Sequence, residues 1–171
     1  MTAAGAGSAG EWERLFPAAA RPAPALLTLT AAQADAIRSA AAAAYPHEGC
    51  GLLAGVEEEE EEGVAGRVTR VVAAANVAPR AHDRFEIDPR AHLDLMKALR
   101  GTAERLLGHW HSHPDHPPTP SATDLAQAWE PGLVWIICAV TAAGPGDLAA
   151  WRLTGEGDER RFEPVVLRID G

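Results

Sequence analysis

Two imidazoles two residues apart, followed by a carboxylate, are residue types that can hold one divalent metal ion. The sequence has them in His111-Ser112-His113-Pro114 and in Asp124, eleven residues after His113. At the end of a strand, positions i and i+2 point the same way, so His111 and His113 can approach one ion from one side. The proline-rich stretch after them is long enough to fold back and present the Asp124 carboxylate as a third ligand. Two imidazoles, a carboxylate and a water make a tetrahedral zinc site with an open catalytic position, at metal–ligand distances of about 2.0–2.2 Å. Zinc so held brings the pKa of its water towards ~7 and polarises a carbonyl, the chemistry of amide hydrolysis. His-x-His alone is a weak pattern. The longer string His111-Ser112-His113-Pro114, six residues, Ser121, two residues, Asp124 is far more specific.

Other groups near these residues carry less chemistry. His109 is in register with His111 on the same strand and reads as a partly buried histidine rather than a fourth ligand. His116 reads as a loop surface residue, and His47 as a surface neighbour of Glu48. Cys50, in Gly49-Cys50-Gly51, has no separate triad partners and reads as a buried thiol, as does Cys138 in an apolar run. Ser121-x-x-Asp124 is also close to an N-terminal capping pattern. Both roles can hold together, with the serine opening a helix while Asp124 turns to the metal.

The elements that must position these groups are legible in the pattern. Ala25 to Leu29 reads as a short strand. Thr30, with Gln33 three residues on, makes a capping box before an Ala-rich helix from about Ala31 to Ala44, which Pro46 stops. Gly51 to Val56 is an apolar strand and Arg67 to Asn76 a return strand, with the glutamate run between them as a loop over 57–63. Arg84 to Ile87 reads as another short strand. Asp88 and Pro89 supply N-cap and N1 for a helix to about Arg100, with Leu93, Leu95, Met96 and Leu99 as its apolar side. Arg105 to His111 should be a central strand, followed by a loop from Ser112 to Pro120. Ser121 caps a short helix to about Trp129. The run Leu133 to Thr141, LVWIICAVT, suits a strand buried on both faces. Leu148 to Leu153 and Phe162 to Ile169 complete the set. The sum is an α/β or α+β domain, a mixed sheet with helices packed on it.

Bulk properties bound the function. A chain of 171 residues, 47% hydrophobic and 23% charged, suits one globular domain. Residues 1–24 are Ala-, Gly- and Pro-rich and read as a flexible leader, with Trp12, Leu15 and Phe16 as candidates to touch the body, leaving residues 25–171 as a single domain. The start lacks the basic and apolar regions of a signal peptide, and no apolar run approaches the ~20 residues that span a bilayer. With two cysteines and no disulfide framework, a cytoplasmic protein is expected, with no membrane partner. The net charge is −9, but six of those charges lie in Glu57–Glu62 and the rest of the chain is only −3. A like-charge block of this kind is ordinarily a solvated loop. No basic footprint for nucleic acid is present.

The metal-site string resembles the signature of the JAMM (MPN+) metalloproteases: an upstream glutamate, then His-x-His-Pro, six residues, Ser, two residues, Asp. Pro46 to Gly55 (PHEGCGLLAG) resembles the segment that carries the family's glutamate. Arg84 to Pro89 (RFEIDP) resembles a strand-to-helix junction of its bacterial branch. The resemblance covers about Leu27 to Leu153. It implies a mixed, curved β-sheet flanked by helices, the JAMM/MPN (cytidine-deaminase-like) architecture, and one Zn2+ per chain held by His111, His113 and Asp124. It implies that Glu48 is the general base toward the attacking water and then the acid toward the leaving amine, and that Ser121 donates a hydrogen bond to the oxyanion. Such roles agree with the physics of a positioned carboxylate and a facing hydroxyl.

The substrate follows only from the branch. Small stand-alone bacterial members are of the Mec type, which removes cysteine from a ubiquitin-like sulfur carrier ending in Gly-Gly. The resemblance therefore implies hydrolysis of the amide bond at the tail of such a sulfur-carrier partner. The tail would be taken in as an extended strand. Asn76 and Arg84 are candidates for its groove, and the glutamate run would favour a basic face on the partner. A deconjugase or less selective peptidase of the same family, and a non-catalytic MPN scaffold, stay open as alternatives. The scaffold reading predicts gaps in the ligand set, and this set is complete. A homodimer is one assembly the sequence allows.

Overall fold

The computed structural model describes residues 22–171. Most of the expected leader, including Trp12, Leu15 and Phe16, lies outside the described residues. The elements run β1 (Leu26–Thr30), α1 (Ala31–Ala44), β2 (Cys50–Glu60), β3 (Gly63–Ala74), α2 (Pro89–Leu99), β4 (Arg105–Pro114), α3 (Ala122–Gln127), β5 (Val134–Thr141), β6 (Gly144–Thr154) and β7 (Arg161–Asp170). A 3-10 turn, Gly157–Glu159, precedes β7. No helix among the described residues is long and apolar enough to cross a membrane.

The sheet is mixed, as expected, and its curvature goes to completion. The strands close into a barrel in the order β1-β3-β2-β4-β5-β6-β7. Closure depends on β1, which pairs in parallel with β3 on one side and with β7 on the other. The strand that carries the histidines, β4, sits between antiparallel β2 and parallel β5. Both faces of β5 are covered, so five of its first residues, Val134 to Cys138, are buried.

Local signals explain the helices. The capping box that opens α1 is formed: Thr30 Oγ1 accepts from Gln33 N at 3.2 Å, and Thr30 N donates to Gln33 Oε1 at 2.9 Å. Ala34, Ile37 and Ala41 are buried on one stripe of α1 and join Leu27, Leu53, Leu107, Trp110 and Ile136 in the main core. A fully buried Ile such as Ile37 contributes about 1.5–3 kcal/mol by its burial. The second helix, α2, starts as expected at Asp88 and Pro89. It covers the other side of the sheet through Leu95 and Leu99, packed with Leu52, Ala54, Leu106 and Leu133. Leu93 is exposed, because it lies two and six residues before those positions and so faces away from them.

Three expectations are corrected. The glutamate run is not a loop over 57–63. Glu57 to Glu60 continue β2 and pair with Gly63 to Gly66, leaving Glu61 and Glu62 as the turn. Gly63 closes that turn at φ 125°, a conformation glycine adopts without strain. Strand pairing outweighs the like-charge repulsion because the first glutamates have cross-strand arginines: Glu57 pairs with Arg105, and Glu58 with Arg67 at 3.4 Å. Arg84 to Ile87 is not a strand beyond one isolated bridge from Ile87 to Asn76. There the Asn76 side chain takes over the bonds a ladder would make. Ser112 to Pro114 belong to β4 rather than to a loop, because β5 extends in register beside them, with Ser112 opposite Cys138 and Pro114 opposite Val140.

Candidate metal and acid–base site

Alternation along β4 carries His109, His111 and His113 on one face, but only the last two reach a common point. His111 Nε2 and His113 Nε2 lie 3.1 Å apart. Asp124 Oδ1 lies 3.1 Å from His111 Nε2, and Asp124 Oδ2 lies 3.1 Å from His113 Nε2. All three residues are buried, and they are the His/Cys/Asp/Glu group among the described residues arranged to hold an ion. A tetrahedral zinc with bonds of about 2.0–2.1 Å sets its ligand atoms ~3.3 Å apart, so the spacing fits.

The His113 tautomer fits as well. His113 Nδ1 lies 3.0 Å from the Pro117 carbonyl, which can only accept, so the proton sits on Nδ1 and the Nε2 lone pair faces the cluster. The His111 ring is fixed differently, stacked on Phe85 with centroids 4.3 Å apart and planes 15° apart. Asp124 is fixed by α3. Ser121 N donates to Asp124 Oδ2 at 2.7 Å and Asp124 N donates to Ser121 Oγ at 3.0 Å, a complete capping box. The capping and metal readings of Ser121-x-x-Asp124 are therefore compatible. The Ser121 hydroxyl, used here as an acceptor, still has its proton to donate.

Charge is distributed to suit a cation. Burial opposes ionisation of Asp124, yet hydrogen bonds from His111 and His113 and from the Ser121 backbone hold its carboxyl well below the usual range. Burial lowers His111 despite Asp124. Burial also works against a charge on His113, but Asp124, the Pro117 carbonyl and Glu48 outweigh it and raise it.

Glu48 stands just before β2 and is 7% exposed. Burial is the main cause that pushes its carboxyl up, from 4.5 to about 7, with His113 opposing and Asp124 and Asp83 assisting. A carboxyl poised there exchanges protons readily near neutral pH. It also sets a stability trend for the metal-free protein. The unfolded chain loses this proton near 4.5 and the folded chain near 7, so stability falls as pH rises between them and the cost is full above the folded value. Metal-free Glu48→Gln is expected to melt above metal-free wild type at about pH 8, with the gap closing by about pH 4, as followed by thermal unfolding.

The other candidates separate cleanly. His109 does not join the cluster; its ring meets Trp135 edge-on at 4.2 Å and burial lowers its pKa to about 3. His47 and His116 are exposed. Both cysteines are buried and free; burial, with Glu48 adding, pushes the Cys50 thiol up to about 12, and burial pushes Cys138 up to about 11, so neither is a ready nucleophile. The Asn76 amide is fully occupied: Nδ2 donates to the Glu48 and Arg84 carbonyls, and Oδ1 accepts from Ala78 N and Glu86 N. It ties down the Glu48 segment and has no spare donor for a substrate. Arg84 is exposed, with its carbonyl held beside Glu48 by that same amide.

Two residues were not read as site residues from sequence. Phe85 sits in the quoted segment RFEIDP, where its aromatic ring was the available signal. Ser112 was read as loop, although alternation between His111 and His113 turns its side chain to the opposite face, where its Oγ accepts from Gly49 N at 2.8 Å.

Comparison with known proteins places the chain among relatives of one family. The family described as prokaryotic homologs of the JAB domain matches residues 30–154. A desampylase of Haloferax volcanii is 34% identical over 134 residues, covering 76% of this chain and 89% of the relative. A probable TtuB-protein conjugate cleaving protease of Thermus thermophilus is 39% identical over 83 residues, 48% of this chain and 50% of the relative. The solution structure of a Desulfitobacterium hafniense protein aligns with a TM-score of 0.65 at 30% identity, covering 85% of this chain and 94% of the other. One from Salinibacter ruber aligns with a TM-score of 0.58 at 36% identity, covering 83% and 91%.

Proposed function

Since the chain belongs to the prokaryotic JAB-domain family, we propose that it is a zinc-dependent hydrolase of the amide bond at the Gly-Gly C-terminus of a small ubiquitin-like sulfur-carrier protein. The observation that carries this reading is the buried convergence of His111, His113 and Asp124 beside a buried carboxyl, Glu48. Bound there by those three side chains, zinc supplies Lewis acidity to a water and to the scissile carbonyl. Glu48 takes the proton from the attacking water and hands it to the leaving amine, a role open to a buried carboxylate held beside the three ligands. Ser121 offers its hydroxyl proton to the oxyanion while its oxygen continues to cap Asp124 N. Phe85 and the Pro117 carbonyl hold the two imidazoles in orientation. The complete donor set weighs against a scaffold without chemistry.

Two leaving groups are distinguished. The Mec resemblance supports release of cysteine. The names of the two relatives, a desampylase and a TtuB-protein conjugate cleaving protease, support cleavage of a carrier from a protein. Arg84, an exposed residue whose backbone carbonyl shares the Asn76 amide with that of Glu48, offers a cation for the free carboxylate that a released cysteine carries and a lysine side chain in a protein does not.

Mass spectrometry of two substrates, a carrier ending in Gly-Gly-Cys and a carrier joined to a protein lysine, tests both readings. Cleavage of the first, with KM raised roughly tenfold by Arg84→Ala, is the result expected for cysteine release, one charge-assisted contact being worth about 1.5 kcal/mol. Cleavage of the second alone would replace it with deconjugation, and cleavage of neither would overturn the substrate class.

A further inference from the structure

The peptide group between Glu48 and Gly49 is gripped at both ends by side chains that the reaction above leaves unused. Its carbonyl oxygen accepts from Asn76 Nδ2 at 2.9 Å. Its N–H, that of Gly49, donates to Ser112 Oγ at 2.8 Å. Ser112 N also donates to the Gly49 carbonyl at 2.9 Å, so the two residues exchange bonds across the junction of β2 and β4. Ser112 is fully buried and Gly49 is buried beside it. The Asn76 amide in turn is locked by the Arg84 carbonyl and by two backbone N–H groups, so it cannot turn away without losing several bonds at once.

We propose that Ser112 and Asn76 are positioning residues that fix the Glu48 backbone relative to His111 and His113. Ser112 is placed for this by sequence itself. It lies between the two imidazoles, so any shift of the Glu48 segment along β4 must break its bond to Gly49. The Ser112 side chain thereby adds to the backbone bond from Ser112 N a second tie between the Glu48 segment and the strand that bears the histidines. The proposal rests on Glu48 being the base. A base that drifts by about 1 Å costs roughly 10²-fold in rate even when every reacting group is present.

Two measurements test it. In metal-free protein, hydrogen exchange at the Gly49 amide should be slow in wild type and at least about tenfold faster in Ser112→Ala. In the zinc-loaded enzyme, Ser112→Ala and Asn76→Asp should each lower kcat by about 10–100-fold with KM and zinc content unchanged. Introduced into Glu48→Gln, the Ser112→Ala change should cost less than about twofold more, since the group it positions is already disabled. A protected Gly49 amide in Ser112→Ala, or an equal loss of rate with and without Glu48, would overturn the proposal. Should Ser112→Ala not fold, Asn76→Asp on the half-buried loop gives the same two-background comparison. Full activity in Glu48→Gln instead refutes the base itself, whereas an inactive Glu48→Gln beside a fully active Ser112→Ala and Asn76→Asp refutes only the clamp.

Discussion

Glu48→Gln is expected to keep about one zinc per chain and lose on the order of 10²–10⁴ in kcat, the usual contribution of a positioned general base. Metal retention follows from geometry, because the converging group that could hold the ion is His111, His113 and Asp124, and Glu48 is not part of it. Loss of turnover follows from chemistry. The glutamine amide has nearly the same shape, but it cannot take a proton. Glu48 Oε2 has no hydrogen-bond partner among the described residues, so the substitution breaks no structural bond there, and the fold should be retained. Metal analysis beside steady-state kinetics on a cleavable carrier conjugate makes the check. Wild-type turnover in the variant would remove Glu48 from the mechanism.

The second large effect is at Asp124. Asp124→Asn is expected to bring zinc content well below one per chain and to lower activity by about 10³-fold or more, several kcal/mol of Lewis-acid stabilisation being lost at 1.36 kcal/mol per tenfold. The asparagine oxygen can still accept from Ser121 N, as Asp124 Oδ2 does at 2.7 Å. The cap of α3 should therefore survive, and circular dichroism should be unchanged. A folded variant without metal separates the metal role of Asp124 from its capping role. Added zinc should raise the unfolding temperature of wild type, by the equivalent of about 2.7 kcal/mol at a hundred times Kd, and leave the variant's in place. Chelation of wild type should abolish activity, and zinc should restore it. Full activity in thoroughly chelated protein would overturn the zinc reading.

The site was more legible than the fold around it. Asp124 could be placed because its spacing from His113 and its capping pattern with Ser121 both lie within one short stretch of chain. The helices were legible for the same reason: Thr30 with Gln33, and Asp88 with Pro89, are local signals that the structure uses as written. Strand extents were less so. Whether Glu57 to Glu60 pair or stay in solvent depends on Arg105 and Arg67, and Arg105 is 48 residues away. Whether Arg84 to Ile87 form a ladder depends on the Asn76 amide, whose four bonds reach Glu48, Ala78, Arg84 and Glu86.

Alternation itself is broken where it matters. Leu53 pairs with Gly108 but Ala54 with Leu106, so Leu107 is an extra residue on β4. That bulge lets Leu107 and Trp110 enter the same core, an odd and an even position that an unbroken strand would put on opposite faces. It turns Trp110 to the α1 side, against Gly51, where a Cβ would collide with the Trp110 indole and the Val72 carbonyl.

By itself, then, the sequence determined the chemistry available to this protein: two imidazoles in strand register, a carboxylate that can also cap, a hydroxyl at the cap, and an upstream glutamate. All but the glutamate are set by residue type and short spacing, which folding does not alter; Glu48, far upstream, was singled out only by the family resemblance. Only the tertiary structure decided how that chemistry is tuned. The Glu48 carboxyl is pushed towards neutrality by burial, His111 is oriented by Phe85, and the Glu48–Gly49 peptide is held between Asn76 and Ser112. Each of these depends on groups distant in the chain meeting in a water-poor interior, where desolvation and fixed hydrogen bonds set proton affinity and position.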